Sequence, residues 1–411
     1  MLENVIDRRF QRESLLGEGN FGRVYLCTDI VLKEHVAIKV SEQNQLSQIK
    51  QEETILKEMQ GTRGFPRFIK SNFLEDYNYV AMQLLGPNIN EKFSECHKKF
   101  SLQTIVTLGR QMLMRVKSIH NKGYVHRDLK PHQFLLGSRS DRNTIYMVDF
   151  GLCKRYKTKD LGLHIAYMEN RPFVGTMYYA SLNTHNGIQQ SRRDDLESLC
   201  YILSYFFNGR LPWMITNKKK TTELKIRTEK AQSTASELFS SAPREFLELF
   251  NYVKSLNFET NPNYSYMISL FESIERKNEL KTYPFDWDKP FEMKKTKLRS
   301  KTNKPKDHGL TRKRTDNNIQ RGRKTQKRKN KSDICRGETQ SVLNATPTTE
   351  VIDDPDKTII AVGFPEIKNR GIIPDKDSRV FRPCNLDERR TQSTNVTSSS
   401  SFVPETYCSI F

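Results

Sequence analysis

Between residues 126 and 151 the chain reads His126-Arg127-Asp128-Leu129-Lys130-Pro131-His132-Gln133 and then, after an apolar stretch, Asp149-Phe150-Gly151. The chemistry open to this set is transfer of a phosphoryl group from a nucleoside triphosphate to a hydroxyl. That reaction needs a carboxylate to orient the hydroxyl and accept its proton, a cation on the moving phosphate, and oxygen ligands for a divalent ion. Asp128 suits the first role as base, Lys130 the second, and Asp149 the third as main metal ligand. Gln133, five residues after the base, is its companion. A glutamine keeps the amide oxygen that asparagine offers at this spacing but adds a methylene. Magnesium demands near-octahedral geometry at about 2.0–2.1 Å, so the longer side chain either empties a second metal site or is absorbed by a small backbone shift.

Further upstream, Gly17-Glu18-Gly19-Asn20-Phe21-Gly22 fits a dinucleotide fold, a triphosphate-covering loop or an ordinary turn. The first of these needs a helix directly after the glycines, whereas Val24-Tyr25-Leu26 continues as a strand. A loop of this kind lets two strands fold over a triphosphate with backbone N–H groups near its oxygens, and Val24 would roof the adenine. Lys39, in Val36-Ala37-Ile38-Lys39, is the expected contact to the α- and β-phosphates. The elements that must position these groups are strands over 10–16, 24–27 and 36–40, and a helix over 46–60 with Ile49, Ile55, Leu56 and Met59 on one side. Glu52 and Glu53 lie near the middle of that helix, and one of them should pair with Lys39. Residues 79–86 read as a strand entering a connector, where adenine would meet backbone around Gln83 to Leu85. A second helix opens at Ser101 with Ile105, Leu108, Met112, Val116 and Ile119 as its buried stripe.

At 411 residues the chain is long enough for one large two-lobed domain and a tail. The net charge is +20, and residues 294–331 alone hold 17 Lys and Arg against Asp307 and Asp316. Such a block buries too little apolar surface to offset its ordering entropy and reads as disordered and solvated. A nuclear import signal, or a patch for anionic lipid or nucleic acid, is the functional alternative. Residues 332–411 lack sustained periodicity apart from Thr358-Ile-Ile-Ala-Val-Gly-Phe364, a docking segment or a collapsed patch, and residues 391–401 are rich in hydroxyls. The seven cysteines are scattered without C-x-x-C spacing, which predicts reduced thiols in cytoplasm or nucleus. Neither an apolar leader nor a run of about 18 apolar residues is present, so secretion and membrane spanning are not expected. The final Cys408-Ser-Ile-Phe411 fits a prenylation signal of the geranylgeranyl type, with an accidental terminus as the alternative.

Gly175-Thr176-Met-Tyr-Tyr179-Ala-Ser181-Leu-Asn183 and Gln190-Ser-Arg-Arg-Asp-Asp195-Leu-Glu-Ser-Leu199 stand where most protein kinases carry A-P-E and the helix after it. With Leu211-Pro-Trp213, residues 262–266 and Phe285-Asp-Trp287, they resemble the casein kinase I family of serine/threonine protein kinases over about residues 8–292. The resemblance implies an α+β, two-lobed kinase fold with a β-rich N-lobe (about 8–86) and a mainly helical C-lobe (about 87–292). A disordered basic and then Ser/Thr-rich tail would follow over 293–411. It implies ATP with Mg2+ as cosubstrate and cofactor, and acidic or phosphorylated proteins as substrates of an enzyme acting as a monomer. An ATP site of Leu16, Gly17, Gly19, Gly22, Val24, Ala37, Lys39, Glu52, Gln83 and Leu85 follows, with Glu52 rather than Glu53 as the partner of Lys39. Lys39, Asp128 and Lys130 are the implied catalytic residues, Asp149 and Gln133 the metal ligands, and Asp195 the residue that ties down the catalytic loop. Arg127, Lys154 and Arg171 match basic positions beside the cleft that attract an anion. Tyr178 replaces an arginine of the family, and Leu224 stands where a phosphate-binding lysine is usual, so a loose acidic preference is expected in place of strict dependence on primed sites. Tails of this family are autophosphorylated and inhibit the kinase. Cys153, after Asp149-Phe-Gly-Leu, reads as a packing residue, with a redox thiol as the alternative. Gln133 motivates one competing function, a weak or inactive scaffold. The basic block motivates another, a nucleic-acid-binding protein, but that reading explains none of Lys39, Asp128 or Asp149.

Overall fold

The computed structural model describes residues 4–19, 22–138, 141–214, 222–288 and 358–360. Strands β1 (Val5–Ile6), β2 (Phe10–Gly19), β3 (Gly22–Asp29) and β4 (Glu34–Ser41) are followed by helix α1 (Leu46–Glu58) and strands β5 (Phe68–Phe73) and β6 (Asn78–Gln83). The six strands form one antiparallel sheet in the order β1-β2-β3-β4-β6-β5. Alternate residues of a strand face opposite sides, and here both sides are covered. Val36, Ile38 and Val40 join Phe10, Tyr25, Cys27, Tyr79 and Ala81 in one small core. Ala37, Val80 and Met82 face the other way and pack with Ile49, Ile55 and Leu56 of α1, which places Lys39 on the helix side. The glycine segment is more regular than the expected turn over 17–22. β2 continues to Gly19, and Gly17 pairs with Val24 and Gly19 with Gly22. Gly22 has φ +121°, and a Cβ there would lie 2.0 Å from the Val40 carbonyl oxygen, so only glycine lets the hairpin cross β4 this closely.

After the connector come α2 (Ile89–Glu95), α3 (Leu102–Asn121), β7 (Tyr124–Val125), β8 (Phe134–Leu136), β9 (Ile145–Met147), β10 (Lys154–Arg155) and β11 (Val174–Thr176). Helices α4 (Leu182–His185), α5 (Arg192–Asn208), α6 (Glu223–Gln232), α7 (Ala235–Leu238), α8 (Arg244–Lys254) and α9 (Tyr264–Lys277) follow. The Ser101 hydroxyl accepts the Thr104 N–H at 3.3 Å and caps α3. All five stripe residues of α3 are buried, and the helix packs against α5 and α9 as the axis of the C-lobe. Two short ribbons, β7 with β10 and β8 with β9, bracket the segment from His126 to Gly151. Thr358–Ile360, the start of the apolar run in the tail, forms a further strand, β12, antiparallel to β11 with Thr176 opposite Thr358 and Val174 opposite Ile360. The basic block, the hydroxyl-rich stretch and Cys408 lie outside the described residues. Among the described residues no helix is long and apolar enough to cross a membrane, and Cys27, Cys96, Cys153 and Cys200 are free thiols.

Candidate active site

Asp195, in the first turns of α5, reaches back to the loop that carries Asp128. Its carboxylate accepts the backbone N–H groups of His126 (2.7 Å) and Arg127 (2.9 Å) and lies 2.8 Å from His120 Nε2, itself against the Tyr264 hydroxyl. Burial raises the proton affinity of this carboxyl, but the bonds from His120 and His126 outweigh it and hold it below the ordinary aspartate range. Asp195 is no helix cap, because Ser191 occupies that place and donates its N–H to Asp194 at 2.7 Å. The tether keeps Arg127 at φ +70°, a conformation that disfavours a side chain, and the Arg127 guanidinium donates to the Leu152 carbonyl at 2.6 Å. β11 crosses the same loop closely. A Cβ on Gly175 (φ +128°) would stand 2.7 Å from the Arg127 carbonyl oxygen. Its neighbour Thr176 donates its hydroxyl to Asp128 Oδ1 at 2.6 Å, leaving Oδ2 toward Lys130 Nζ at 4.0 Å.

On the nucleotide side, Lys39 Nζ lies between Glu52 Oε2 (2.6 Å) and Asp149 Oδ1 (2.7 Å). Burial pulls the ammonium down, yet the two carboxylates hold it above the ordinary lysine range; Asp149, despite its own burial, is held below the carboxylate range chiefly by Lys39. Glu53, one residue on, faces Lys57 and Ser71 instead. The C-terminal end of α1 is tied to the other lobe, where Glu58 accepts from Arg155 (2.6 Å) and from the Tyr124 hydroxyl (2.9 Å). Phe150 is fully buried, stacked on Phe65 and edge-on to His126, which turns Asp149 (φ +65°) toward the lysine. Gly17, Gly19 and Gly22 lie in the hairpin, with Leu16 half exposed, while Val24 and Ala37 line the adjoining strands. Gln83 is tied to the edge segment, exchanging bonds with the Arg67 backbone at 2.8 and 3.2 Å. Leu85 follows in the connector that Gly86 joins to Leu136 at 2.8 Å.

Gln133 accommodates its extra methylene within the tight turn Pro131–Gln133, its carbonyl accepting the Val148 N–H at 3.0 Å. The buried amide reaches Asp149 Oδ2 at 2.9 Å and Asp128 Oδ2 at 3.4 Å. Rotation of the amide presents its oxygen beside Asp149, a hard-oxygen donor set that fits a divalent cation. Among the described residues there is no group of three or more His, Cys, Asp or Glu that could hold a metal ion.

Arg127, Lys154 and Arg171 line one small pocket with Gln189, whose side chain accepts from Lys154 at 2.9 Å. Burial and the neighbouring arginines lower the Lys154 pKa, a mutual repulsion that an anion relieves. Tyr178 is buried and offers no charge, and Leu224 is exposed on α6. Sequence reading passed over Lys230, whose buried side-chain nitrogen donates to the carbonyls of Met177 (2.7 Å) and Ala180 (2.5 Å) directly after β11. It also passed over Asp194 and Glu197. Asp194 accepts from the Ser181 hydroxyl (2.7 Å) and the Asn183 amide (3.0 Å), and Glu197 from the Leu182 N–H (2.8 Å). Asp194 and Glu197 brace the Ser181-Leu-Asn183 segment and Lys230 the residues just before it; only the position of Asp194 and Glu197 in the apolar helix α5 hinted at a buried role. Burial drives the Cys153 thiol pKa well up, as suits a packing residue.

A curled sheet joined to a helical lobe, with a lysine–carboxylate pair facing a second carboxylate across the cleft, is the architecture of a nucleotide-dependent phosphotransferase. The protein kinase domain model matches residues 10–269, more than half of the chain, and the chain belongs to that family.

Proposed function

We propose that this protein is an active serine/threonine kinase of the casein kinase I type, transferring the γ-phosphoryl group of Mg-ATP to hydroxyls of acidic proteins. The observation that carries activity is the assembled set of charges: Lys39 held by both Glu52 and Asp149, with Gln133 linking Asp149 to Asp128. A scaffold that had lost catalysis has no need to keep these four charges in register. Serine and threonine acceptors are favoured because β11 lies against the catalytic loop. Thr358, on a strand paired with β11, brings its hydroxyl to 2.7 Å from Asp128 Oδ2. A tyrosine hydroxyl, carried a ring's length farther, would overshoot. The Arg127, Lys154 and Arg171 pocket favours acidic substrates.

Asp128 orients the acceptor hydroxyl and takes its proton, Lys130 sits beside the phosphoryl group in flight, and Lys39 holds the α- and β-phosphates. A divalent cation held by Asp149 and Gln133 supplies charge neutralisation on the phosphates when bound. The test is radiolabel transfer from Mg-ATP to casein by the purified full chain beside Asp128→Asn and Gln133→Asn. Labelling by the parent and none by Asp128→Asn is the expected result. A silent parent revived by Gln133→Asn would instead make the chain a scaffold whose metal site has been lost.

A further inference from the structure

The tilt of α1 decides whether Glu52 reaches Lys39. Within the N-lobe the helix rests on Ile49, Ile55 and Leu56, while its first turn has neither a side-chain cap nor an acidic residue. Its last residue, Glu58, reaches out of the lobe. Glu58 Oε1 accepts from Arg155 Nη2 at 2.6 Å and from the Tyr124 hydroxyl at 2.9 Å, and the Arg155 guanidinium lies over the Tyr124 ring, 4.3 Å from its centroid. Arg155 and Tyr124 face each other across the β7–β10 ribbon. Both working segments join that ribbon, because Tyr124 stands four residues before Asp128 and Arg155 six residues after Asp149. One carboxylate oxygen therefore links the helix that carries Glu52 to the two strands that set the base and the metal ligand.

We propose that Glu58 is a positioning residue: through Arg155 and Tyr124 it sets the tilt of α1 against the β7–β10 ribbon and so keeps Glu52 and Asp149 together on Lys39. The inference rests on the proposed kinase activity and adds to it three residues that touch neither nucleotide nor acceptor. Glu52 and Glu58 are six residues apart, about 9 Å along the helix axis, so a shift of the helix end is carried to Glu52 by a stiff element. Lys39 is held at 2.6 Å and 2.7 Å by its two carboxylates, and a displacement of about 1 Å at such a site costs on the order of a hundredfold in rate. The contact matters for orientation more than for stability. Glu58 and Arg155 are 34% and 30% exposed, and ion pairs that open to water stabilise a fold little. Removing the carboxylate is therefore expected to cost activity while the urea midpoint moves little.

The experiment compares the purified full chain with Glu58→Ala, Arg155→Ala, the double variant, and Glu58→Ala placed in a Glu52→Gln background. Each is read by steady-state casein phosphorylation, calorimetric binding of Mg-ATP and urea unfolding. Glu58→Ala is expected to lower kcat/KM for ATP about tenfold and to weaken Mg-ATP binding about threefold, with KM for casein within about twofold of the parent. Arg155→Ala should match it, and the double variant should be no worse than either, since the two residues form one contact. In the Glu52→Gln background Glu58→Ala should cost less than about twofold in either readout, because the residue it acts through is already gone. Activity and Mg-ATP binding of Glu58→Ala both within about twofold of the parent overturn the inference. An undiminished loss in the Glu52→Gln background also overturns it, since Glu58 would then be a general brace. A parent that binds Mg-ATP but labels no casein overturns the kinase reading alone, and the binding comparison then decides the inference. A parent that binds no Mg-ATP overturns both.

Discussion

Replacing Asp195 by asparagine tests how far catalysis depends on a residue that touches no substrate. The carboxylate accepts from two successive backbone N–H groups, His126 on Oδ2 and Arg127 on Oδ1, with His120 also on Oδ2. Asparagine has one oxygen, so in either amide orientation an –NH2 faces one of those N–H groups. A hydrogen bond to a charged group contributes about 1.5–3 kcal/mol, and a buried donor left without a partner costs about 1–3 kcal/mol. The net expectation is a loss of about 2–4 kcal/mol, moderated where the loop relaxes. That relaxation is the catalytic consequence, because Arg127 at φ +70° stays strained only while the tether holds it, and Asp128 is the next residue. Displacing a catalytic group by about 1 Å costs on the order of a hundredfold in rate. The assays are urea unfolding and steady-state casein phosphorylation. A midpoint shifted down, kcat lowered about a hundredfold and KM for ATP little changed are expected, the last because Lys39, Glu52 and Asp149 are untouched. Stability within about 0.5 kcal/mol of the parent together with kcat within about twofold would refute the reasoning.

Lys230→Met leaves the buried carbonyls of Met177 and Ala180 without their donor, and urea unfolding should show a loss of about 2–4 kcal/mol; an unchanged midpoint would mean that water replaces the side-chain nitrogen. Asp194 is pushed up from its ordinary 3.8 to about 6, first by burial, with Glu197 adding to it against the bonds from Ser191, Ser181 and Asn183. The folded state therefore takes up a proton that the unfolded chain does not hold between these values. This contribution to stability is fully present below pH 3.8 and lost as pH rises through about 6, a swing of about 3 kcal/mol. Urea midpoints between pH 4 and 7 should fall with pH in the parent and lose that component of the slope in Asp194→Asn; equal slopes would dismiss it.

Glu52 and Glu53 show where sequence reading stops. Adjacent residues on a helix point about 100° apart, and both glutamates sit where a partner for Lys39 could lie. The helical period does not choose between them until the sheet fixes which face of α1 is covered; resemblance selected Glu52, and packing places it on Lys39. The expected turn over 17–22 fell short for a related reason, since the strands extend through the glycines by pairing with each other and with β4.

What the sequence determined by itself is the local chemistry. Asp128, Lys130 and Gln133 sit in one short loop, and Asp149 follows a two-strand return, so residue type and spacing along the chain already specify which groups can meet a phosphate. The strand alternation of β4 and the stripe of α3 were legible for the same reason, because backbone geometry imposes their periods within a few residues. The tertiary structure alone decided the rest. Asp195 reaches a loop 68 residues away, Lys230 braces carbonyls 50 and 53 residues away, and Thr358 meets a carboxylate 230 residues away. Such pairings leave no periodic trace, since they arise when hydrophobic burial brings distant segments together and the buried polar groups must then find partners where they lie.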